Sequence, residues 1–279
     1  MRVHRTRHGV VVELDNGDRF SLAALHWDAL FQSDAAHATI LTALESAAPF
    51  SDDLEPLAPV ASQEIWAAGV TWSRSRTARM EESEASGGSD FYDKVYDAER
   101  PELFLKATPH RVVGPGEPML LRSDSKWIVP EPELTLAVSS EGRIFGYTIG
   151  NDLSCRDIEG DNPLYLPQAK VFDACAAVGP GLVIRDEPLP QDTTIHMTIR
   201  RDGADAFVGD APISRMKRTP EDLVQWLRRH NSFPAGCLLM TGTGIVPPDD
   251  FCLQPLDEVI IAIDGLGELV NVMAAAPSG

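Results

Sequence analysis

The strongest constraint on this chain is a pair of glutamates, Glu131 and Glu133, that stand directly before the apolar run 134–138. An apolar run of this length predicts a buried strand. Side chains at positions i and i+2 of a strand project from the same face, so both carboxylates should point the same way. Neighbouring carboxylates repel each other unless a cation lies between them. The pair is therefore either a solvated strand face, which is the usual place for charged strand residues, or part of a cation site.

A third carboxylate, Asp152, follows a second β-like segment at residues 144–149. If the two strands are neighbours, Glu131, Glu133 and Asp152 together offer a cluster of hard oxygen ligands. Such a cluster suits Mg²⁺, with Mn²⁺ or Ca²⁺ as alternatives, and leaves coordination positions for water and substrate. The sequence therefore predicts a divalent-metal site built from these three side chains.

The three carboxylates belong to a longer series of motifs. After Glu133-Leu134 come GYTIGNDLSCRD at residues 146–157, then Lys170 with Phe172-Asp173, then Gly179-Pro180. This series resembles the core of the fumarylacetoacetate hydrolase superfamily, whose pattern reads E-x-E-L, G-Y-(T/S)-x-x-N-D-x-S-x-R-D, K-x-x-D and G-P. The resemblance implies an enzyme in which the three carboxylates hold the metal and Lys170 is catalytic.

The resemblance covers roughly residues 65–273 and implies a β-rich α+β fold. It assigns residues 61–279 to a fumarylacetoacetate hydrolase-like catalytic domain with a rolled mixed β-sheet, and it implies a homodimer or a dimer of dimers. Strand-like patterns dominate the second half of the chain. They are interrupted by a predicted helix at 221–229, for which Thr219 is the expected N-cap and Pro220 the first helical residue.

Residues 1–60 are predicted to form a small, separate N-terminal α/β domain. Asp15-Asn16-Gly17-Asp18 lies between two β-like segments and is a good hairpin turn. Residues 35–48 then carry apolar side chains at helical spacing. Three prolines between residues 49 and 59 mark the exit from this unit.

Residues 156–170 resemble a narrower branch of the superfamily, which acts on 2-keto-3-deoxy-pentonates and related sugar acids. The resemblance implies Mg²⁺-dependent dehydration of 2-keto-3-deoxy-D-pentonate to 2-oxoglutarate semialdehyde through a metal-stabilised enolate. Pro163 and Pro167 predict an ordered loop rather than a helix over residues 158–168. This loop should border the pocket, and we expect Glu159 and Gln168 to contact substrate.

One motif departs from the family. Many members carry G-x-N-Y-x-x-H with a Glu three residues further on, and the His and Glu act as a catalytic base pair. Here the frame falls on residues 69–75, so Ser75 takes the His position and Ala78 takes the Glu position. Because activating a water molecule needs a base, the departure argues against C–C bond hydrolysis. Dehydration needs no activated hydrolytic water and fits the departure.

Glu81 and Glu82 lie in the same segment and are the candidate general bases, with ordinary helix-surface carboxylates as the alternative interpretation. If one of them is a base, the alternative function is a C–C bond hydrolase or decarboxylase of a 2-keto or diketo acid on the same metal site. A third hypothesis is a non-catalytic small-molecule binder. Ser75 and Arg76 are expected to contact substrate, and the Ser/Gly-rich stretch 83–90 is predicted to be a mobile loop.

Two further residues are carried over from the family's motifs. Phe104-Leu105-Lys106 resembles the F-x-K motif, so Lys106 is expected to reach the substrate, unless it is a surface lysine. Thr241-Gly242-Thr243 resembles the G-T motif, whose threonine bonds the substrate carboxylate. We assign that role to Thr243, with a turn or capping hydroxyl as the alternative.

Composition excludes several classes of function for this 279-residue chain. A net charge of −18 argues against nucleic-acid or anionic-membrane binding, which needs a basic patch. The sequence contains no apolar run of membrane-spanning length, and the basic start leads into no signal-peptide core. The scattered cysteines (Cys155, Cys175, Cys237 and Cys252) are typical of reduced thiols in a cytoplasmic protein.

Overall fold

The computed structural model describes residues 1–32, 34–83 and 89–276, without the side chains of residues 79, 81–83 and 89–92. The α-helices are α1 (Trp27–Phe31), α2 (Ala36–Leu44), α3 (Ser73–Ser83), α4 (Ser89–Asp97), α5 (Arg156–Asp161), α6 (Leu166–Lys170) and α7 (Pro220–Leu227). Single turns of 3₁₀-helix cover Pro109–Arg111, Pro163–Tyr165 and Ile213–Arg215.

Among the described residues, more lie in strands than in helices. In sequence order these are β1 (Arg2–Thr6), β2 (Gly9–Glu13), β3 (Arg19–Ser21), β4 (Ala48–Pro49), β5 (Glu64–Gly69), β6 (Glu102–Ala107), β7 (Val112–Val113), β8 (Met119–Leu121), β9 (Ile128–Val129), β10 (Pro132–Val138), β11 (Ile144–Asp152), β12 (Ser154–Cys155), β13 (Ala176–Ile184), β14 (Thr194–Arg201), β15 (Ala204–Pro212), β16 (Cys237–Met240), β17 (Glu258–Ile263) and β18 (Gly267–Ala275).

Two sheets contain nearly all of these strands. The large sheet has the order β4-β3-β2-β1-β13-β11-β10-β16-β5-β6, with β7 pairing beside β13. It is mixed, because β16 is antiparallel to β10 on one side and parallel to β5 on the other. The second sheet has the order β15-β14-β17-β18-β8. The β-rich α+β fold predicted from the sequence is confirmed.

The core lies on both faces of the large sheet. On one face, Leu136 of β10 packs in the same buried cluster as Met197 and Ile261 of the second sheet. On the other face, Leu30 and Ile40 from α1 and α2 belong to the buried cluster that covers the strands of the first 13 residues. The fold therefore has three layers: helices on one face of the large sheet, the large sheet itself, and the second sheet on its other face. In this arrangement both apolar faces of the large sheet are shielded from water.

Several local predictions are confirmed. The turn at residues 15–18 joins the antiparallel strands β2 and β3. Helix α7 begins with Pro220, and the Thr219 hydroxyl accepts a hydrogen bond from the backbone N–H of Asp222, as a capping threonine should. Helix α3 includes the positions of the two candidate bases, Glu81 and Glu82. The predicted mobile loop at residues 83–90 differs from the structure at its ends, where residue 83 closes α3 and residues 89–90 open α4; residues 84–88 lie outside the described residues.

The prediction of a non-helical loop over residues 158–168 is wrong. The structure has three short helical turns there: the end of α5, a 3₁₀ turn from Pro163, and the start of α6. Each proline sits in the first turn of its helix, where a missing N–H costs nothing because that group has no partner within the helix. The side-chain oxygen of Asn162 caps the 3₁₀ turn by accepting from the N–H of Leu164.

The first 60 residues contribute strands β1 to β4 and helices α1 and α2. These strands continue the large sheet, because β1 pairs with β13 through Arg2 opposite Val183 and Val3 opposite Leu182. A domain division near residue 60 stays a proposal.

Among the described residues, none of the helices combines the length and the apolar content that crossing a membrane requires.

Candidate metal and substrate site

The three predicted metal ligands meet at one place in the large sheet. Strands β10 and β11 are antiparallel neighbours, and Glu133 lies opposite Gly150 while Pro132 lies opposite Asn151. This register brings Glu131, Glu133 and Asp152 together, with one carboxylate oxygen of each within 4.8 Å of the others. All three side chains are buried, at 4%, 1% and 0% exposure respectively. The solvated strand face considered for the glutamates is therefore excluded.

Lys170, at the end of α6, bridges two of these carboxylates. Its Nζ lies 2.6 Å from Oε2 of Glu131 and 3.1 Å from Oδ2 of Asp152. The side chain is only 1% exposed, and a buried lysine is rare unless it is paired. The Lys170 ammonium is thus held beside the carboxylates, within reach of a molecule bound at this cluster.

Arg156, at the start of α5, pairs with the other oxygen of Glu131. Its Nη2 is 2.7 Å from Glu131 Oε1, and both side chains are buried. Arg156 and Lys170 therefore contact opposite oxygens of the same carboxylate, which fixes the orientation of Glu131. Arginine suits this position because its planar guanidinium stays charged when buried.

Lys106, at the end of β6, is fully buried and faces three protein oxygens. Its ammonium donates hydrogen bonds to the backbone carbonyls of Leu153, at 2.9 Å, and Lys170. It also lies 2.7 Å from Asp152 Oδ1, as an ion-pair contact rather than a well-directed hydrogen bond. Because a lysine has three donors, this arrangement ties Asp152 to the segment that carries Lys170. The predicted direct contact of Lys106 with substrate remains untested.

Glu133 receives its hydrogen bond from the backbone. Its Oε2 accepts from the N–H of Gly242, in the turn that follows β16. Burial, followed by the neighbouring carboxylates of Asp152 and Glu131, holds the pKa of the Glu133 carboxyl well above its ordinary value; Lys170 and the Gly242 N–H oppose this rise. Glu131 and Asp152 each contact two cationic side chains, whereas the hydrogen bond to Glu133 comes from a backbone N–H.

These observations fit a divalent cation. The donor set is oxygen only, which hard ions such as Mg²⁺ prefer. Burial first, and then the Asp152 and Glu131 carboxylates, raise the pKa of Glu133, and a cation bound beside these oxygens would favour its charged form. Glu131, Glu133 and Asp152 are the residues that would hold the ion.

Two other predicted residues lie in the buried surroundings of the site. Thr243 immediately follows Gly242, and its hydroxyl donates to the carbonyl of Ile245 and accepts from the N–H of the same residue. It therefore serves as a turn hydroxyl here, and binding of a substrate carboxylate remains a prediction. Glu159 is buried on α5 and accepts a hydrogen bond from the Ser154 hydroxyl at 3.3 Å.

The remaining predicted contacts are engaged elsewhere or cannot be placed. The Ser75 hydroxyl bonds the backbone of Trp72 in the first turn of α3. Arg76 pairs with Asp93 of α4, and Gln168 is exposed on α6. The side chains of the candidate bases Glu81 and Glu82 lie outside the described part of the structure.

Two contributors were not among the residues predicted for the site. Arg156 is the arginine of the motif at residues 146–157, and the need to balance three buried carboxylates could have pointed to it. Gly242 has a φ of +89°, and a Cβ there would lie 2.1 Å from the Thr71 hydroxyl. The sequence marks that position as a glycine turn but carries no sign that its N–H binds Glu133.

Comparisons with known proteins show the family to which the chain belongs. The family model described as "Fumarylacetoacetate (FAA) hydrolase C-terminal" matches residues 81–274. Over 220 residues the chain is 49% identical to a probable 2-keto-3-deoxyxylonate dehydratase of Haloferax volcanii, covering 78% of this chain and 75% of that protein. It is 44% identical over 222 residues to the 2-dehydro-3-deoxy-D-arabinonate dehydratase of Saccharolobus solfataricus, covering 79% and 74%.

A solved structure extends the likeness to the whole chain. It is that of a 2-keto-3-deoxy-D-arabinonate dehydratase complexed with magnesium and 2,5-dioxopentanoate. The two chains align over 100% of each, with a TM-score of 0.82 and 33% sequence identity.

Proposed function

The chain belongs to the fumarylacetoacetate hydrolase family of enzymes, and we propose that it catalyses the Mg²⁺-dependent dehydration of a 2-keto-3-deoxy sugar acid. The proposed substrate is 2-keto-3-deoxy-D-pentonate and the product 2-oxoglutarate semialdehyde. The observation that carries this proposal is the buried cluster of Glu131, Glu133 and Asp152 bridged by Lys170, in a chain 49% identical to a dehydratase of this substrate class.

The proposed reaction balances without any co-reactant. One proton leaves C3 and the C4 hydroxyl departs as water, which places a double bond between C3 and C4. Moving a proton from C5 to C3 then gives an enol with its double bond between C4 and C5, and transfer of the enol O–H proton to C4 gives the aldehyde at C5. The protons removed from C3 and C5 both leave carbons activated by the 2-keto group, so the enzyme's task is to stabilise negative charge on the keto oxygen.

When bound, the divalent ion would supply Lewis-acid stabilisation of that charge. The chain's own residues supply orientation and proton transfer. Lys170 would donate to the substrate carboxylate or keto oxygen, or accept the C3 proton after releasing its own. Glu81 and Glu82 remain the candidate alternative bases. A water-activating His and Glu are absent at positions 75 and 78, which supports dehydration over hydrolysis.

The test is to incubate the purified protein with Mg²⁺ and 2-keto-3-deoxy-D-pentonate and to identify the product by mass spectrometry. We expect 2-oxoglutarate semialdehyde, formation of which stops when the metal is chelated. Release of pyruvate would instead indicate C–C cleavage. Binding of Mg²⁺ and substrate without turnover would indicate a non-catalytic binder.

A matched variant tests the role of Lys170. Lys170→Met keeps the length of the side chain and removes the ammonium that contacts Glu131 and Asp152. We expect kcat/KM to fall by about a hundredfold or more, the usual effect of losing a proton-transfer group. Wild-type kcat/KM in this variant would remove Lys170 from the mechanism.

We also propose that the protein acts as a homodimer or a dimer of dimers in the cytoplasm, which the family resemblance suggests. Light scattering of the purified full chain measures the assembly directly. A monomeric mass at micromolar concentration would reject this part of the proposal and leave the proposed chemistry untouched.

A further inference from the structure

We propose that Trp72 is a positioning residue for the metal site: its indole holds the turn at residues 241–244 so that the Gly242 N–H is aimed at Glu133. This inference rests on the proposed metal site and deepens it, because neither the motifs nor the proposed mechanism assigns any task to Trp72.

The indole of Trp72 contacts the turn in two ways. Its Nε1 donates a hydrogen bond of 3.0 Å to the carbonyl of Gly242. Its six-membered ring lies against Gly244, where an added Cβ would come 2.4 Å from the ring carbon Cε3. The side chain is 2% exposed, so this hydrogen bond is made away from water, where losing it is costly. The ring therefore fixes both the position and the rotation of the turn.

The residue before Trp72 anchors the same turn. The Thr71 hydroxyl donates a 2.6 Å hydrogen bond to the carbonyl of Thr241. On its other side, Thr241 is tied to β10, because its N–H and its hydroxyl both bond the carbonyl of Leu134, at 3.0 and 2.9 Å. The start of the turn is thus held between β10 and the Thr71-Trp72 segment.

The turn holds one backbone donor against the metal site. The N–H of Gly242 bonds Oε2 of Glu133, one of the three proposed metal ligands. The peptide that carries this N–H is held by Thr71 through the Thr241 carbonyl, and Trp72 holds the next peptide of the turn through the Gly242 carbonyl. Hydrogen bonds weaken steeply as the donor angle closes. Rotation of the turn would therefore withdraw the N–H from Glu133 and release that carboxylate from its orientation.

The chain offers a matched control. Trp66 lies on β5, six residues before Trp72, and its Nε1 donates to the carboxylate of Glu64 at 3.0 Å. Trp66→Phe and Trp72→Phe make the same chemical change, since each keeps an aromatic ring and removes an indole N–H. In Trp72→Phe the lost hydrogen bond is the one to the turn.

The experiment measures Mg²⁺ binding to metal-free protein by calorimetry, for the wild type and both variants, in parallel with thermal unfolding. We expect Trp72→Phe to raise the Mg²⁺ dissociation constant about three- to tenfold, as expected for partial loss of a charge-assisted hydrogen bond. Trp66→Phe should stay within about twofold of wild type. In the Trp72 variant, excess Mg²⁺ should also restore most of the activity.

Other outcomes overturn the inference. If Trp72→Phe lowers the melting temperature but keeps the wild-type dissociation constant, Trp72 is only a packing residue. An equal weakening in Trp66→Phe would show that the effect is not specific to the turn. If Trp72→Phe does not fold, Thr71→Val tests the inference instead. This variant removes the hydrogen bond from the Thr71 hydroxyl to the Thr241 carbonyl with little change in volume, and it must weaken Mg²⁺ binding if the turn positions Glu133.

Failure of this inference is distinguishable from failure of the proposed function. A wild-type protein that binds no Mg²⁺ rejects the metal site, and with it both proposals. A wild-type protein that binds Mg²⁺, with Trp72→Phe and Thr71→Val binding equally well, rejects only the positioning role.

Discussion

Replacing Lys106 with methionine tests how a buried ammonium keeps the carboxylate cluster in place. Lys106 is 0% exposed, and its Nζ faces Asp152 and the backbone carbonyls of Leu153 and Lys170. Methionine has nearly the same length and carries neither the charge nor the N–H donors. The substitution therefore removes the charge and the three donors with little change in packing.

The size of the effect follows from what is left behind. Breaking a buried ion pair by removing one partner costs about 3–5 kcal/mol. The two orphaned carbonyls would each add about 1–3 kcal/mol if nothing replaced their donor. These costs are not additive, because Asp152 can take up a proton and water can enter. We therefore expect a loss of about 3–5 kcal/mol, which corresponds to about 6–20 °C in melting temperature.

The assay is urea unfolding of the metal-free protein, compared with Lys126→Met. Lys126 is exposed, so its replacement should change the free energy of unfolding by less than about 0.5 kcal/mol. Mg²⁺ binding to Lys106→Met should also be weaker, because Asp152 loses the cation that orients it. A Lys106 variant as stable as the Lys126 variant, with unchanged Mg²⁺ affinity, would refute this reasoning.

Three further predictions concern pH and salt. Because the pKa of the Glu133 carboxyl is raised, its contribution to the stability of the metal-free protein is complete below the unfolded pKa near 4.5 and is lost as pH rises through the folded pKa. The urea midpoint of the wild type should therefore decline above pH 4.5, and Glu133→Gln should flatten that decline. An unchanged decline in the variant would contradict this. Burial lowers the pKa of His4 below 6.5, and the hydrogen bond to the carbonyl of Pro180 opposes this shift. The stability that neutral His4 contributes is therefore present above pH 6.5 and lost as pH falls through the lower folded pKa. In thermal scans, the melting temperature of His4→Leu should fall less between pH 7 and pH 5 than that of the wild type. The net charge of −18 implies repulsion among like charges in the folded protein, so the melting temperature should rise as NaCl is added. Salt screens this repulsion, since the screening length shrinks from about 30 Å at 0.01 M to about 10 Å at 0.1 M salt. A salt-independent melting temperature would show that the repulsion contributes little to stability.

The sequence alone identified the metal-ligand candidates because the relevant signals are local. Glu131 and Glu133 are two residues apart at the start of a strand, and Asp152 ends the strand that pairs with it. Strand periodicity and motif spacing act over a few residues, so they can be detected without knowing how the strands pack. The cap and first residue of α7 were predicted for the same reason.

Local rules also explain the prediction that failed. Pro163 and Pro167 predict a loop rather than a helix, yet each lies in the first turn of a new short helix. A proline excludes only the interior of a helix, and where a new helix begins depends on the residue before it. At Pro163 that residue is Asn162, whose side chain caps the turn.

Only the tertiary structure decided which distant groups serve the carboxylates. The ammonium of Lys106 bonds the carbonyl of Lys170, 64 positions away, and the indole of Trp72 bonds Gly242, 170 positions away. The F-x-K motif at residues 104–106 suggests that Lys106 reaches the substrate, but it does not indicate which protein oxygens the ammonium would bind. That choice depends on strand order and on which oxygens burial leaves in need of a donor, and both are set only when the sheet has formed.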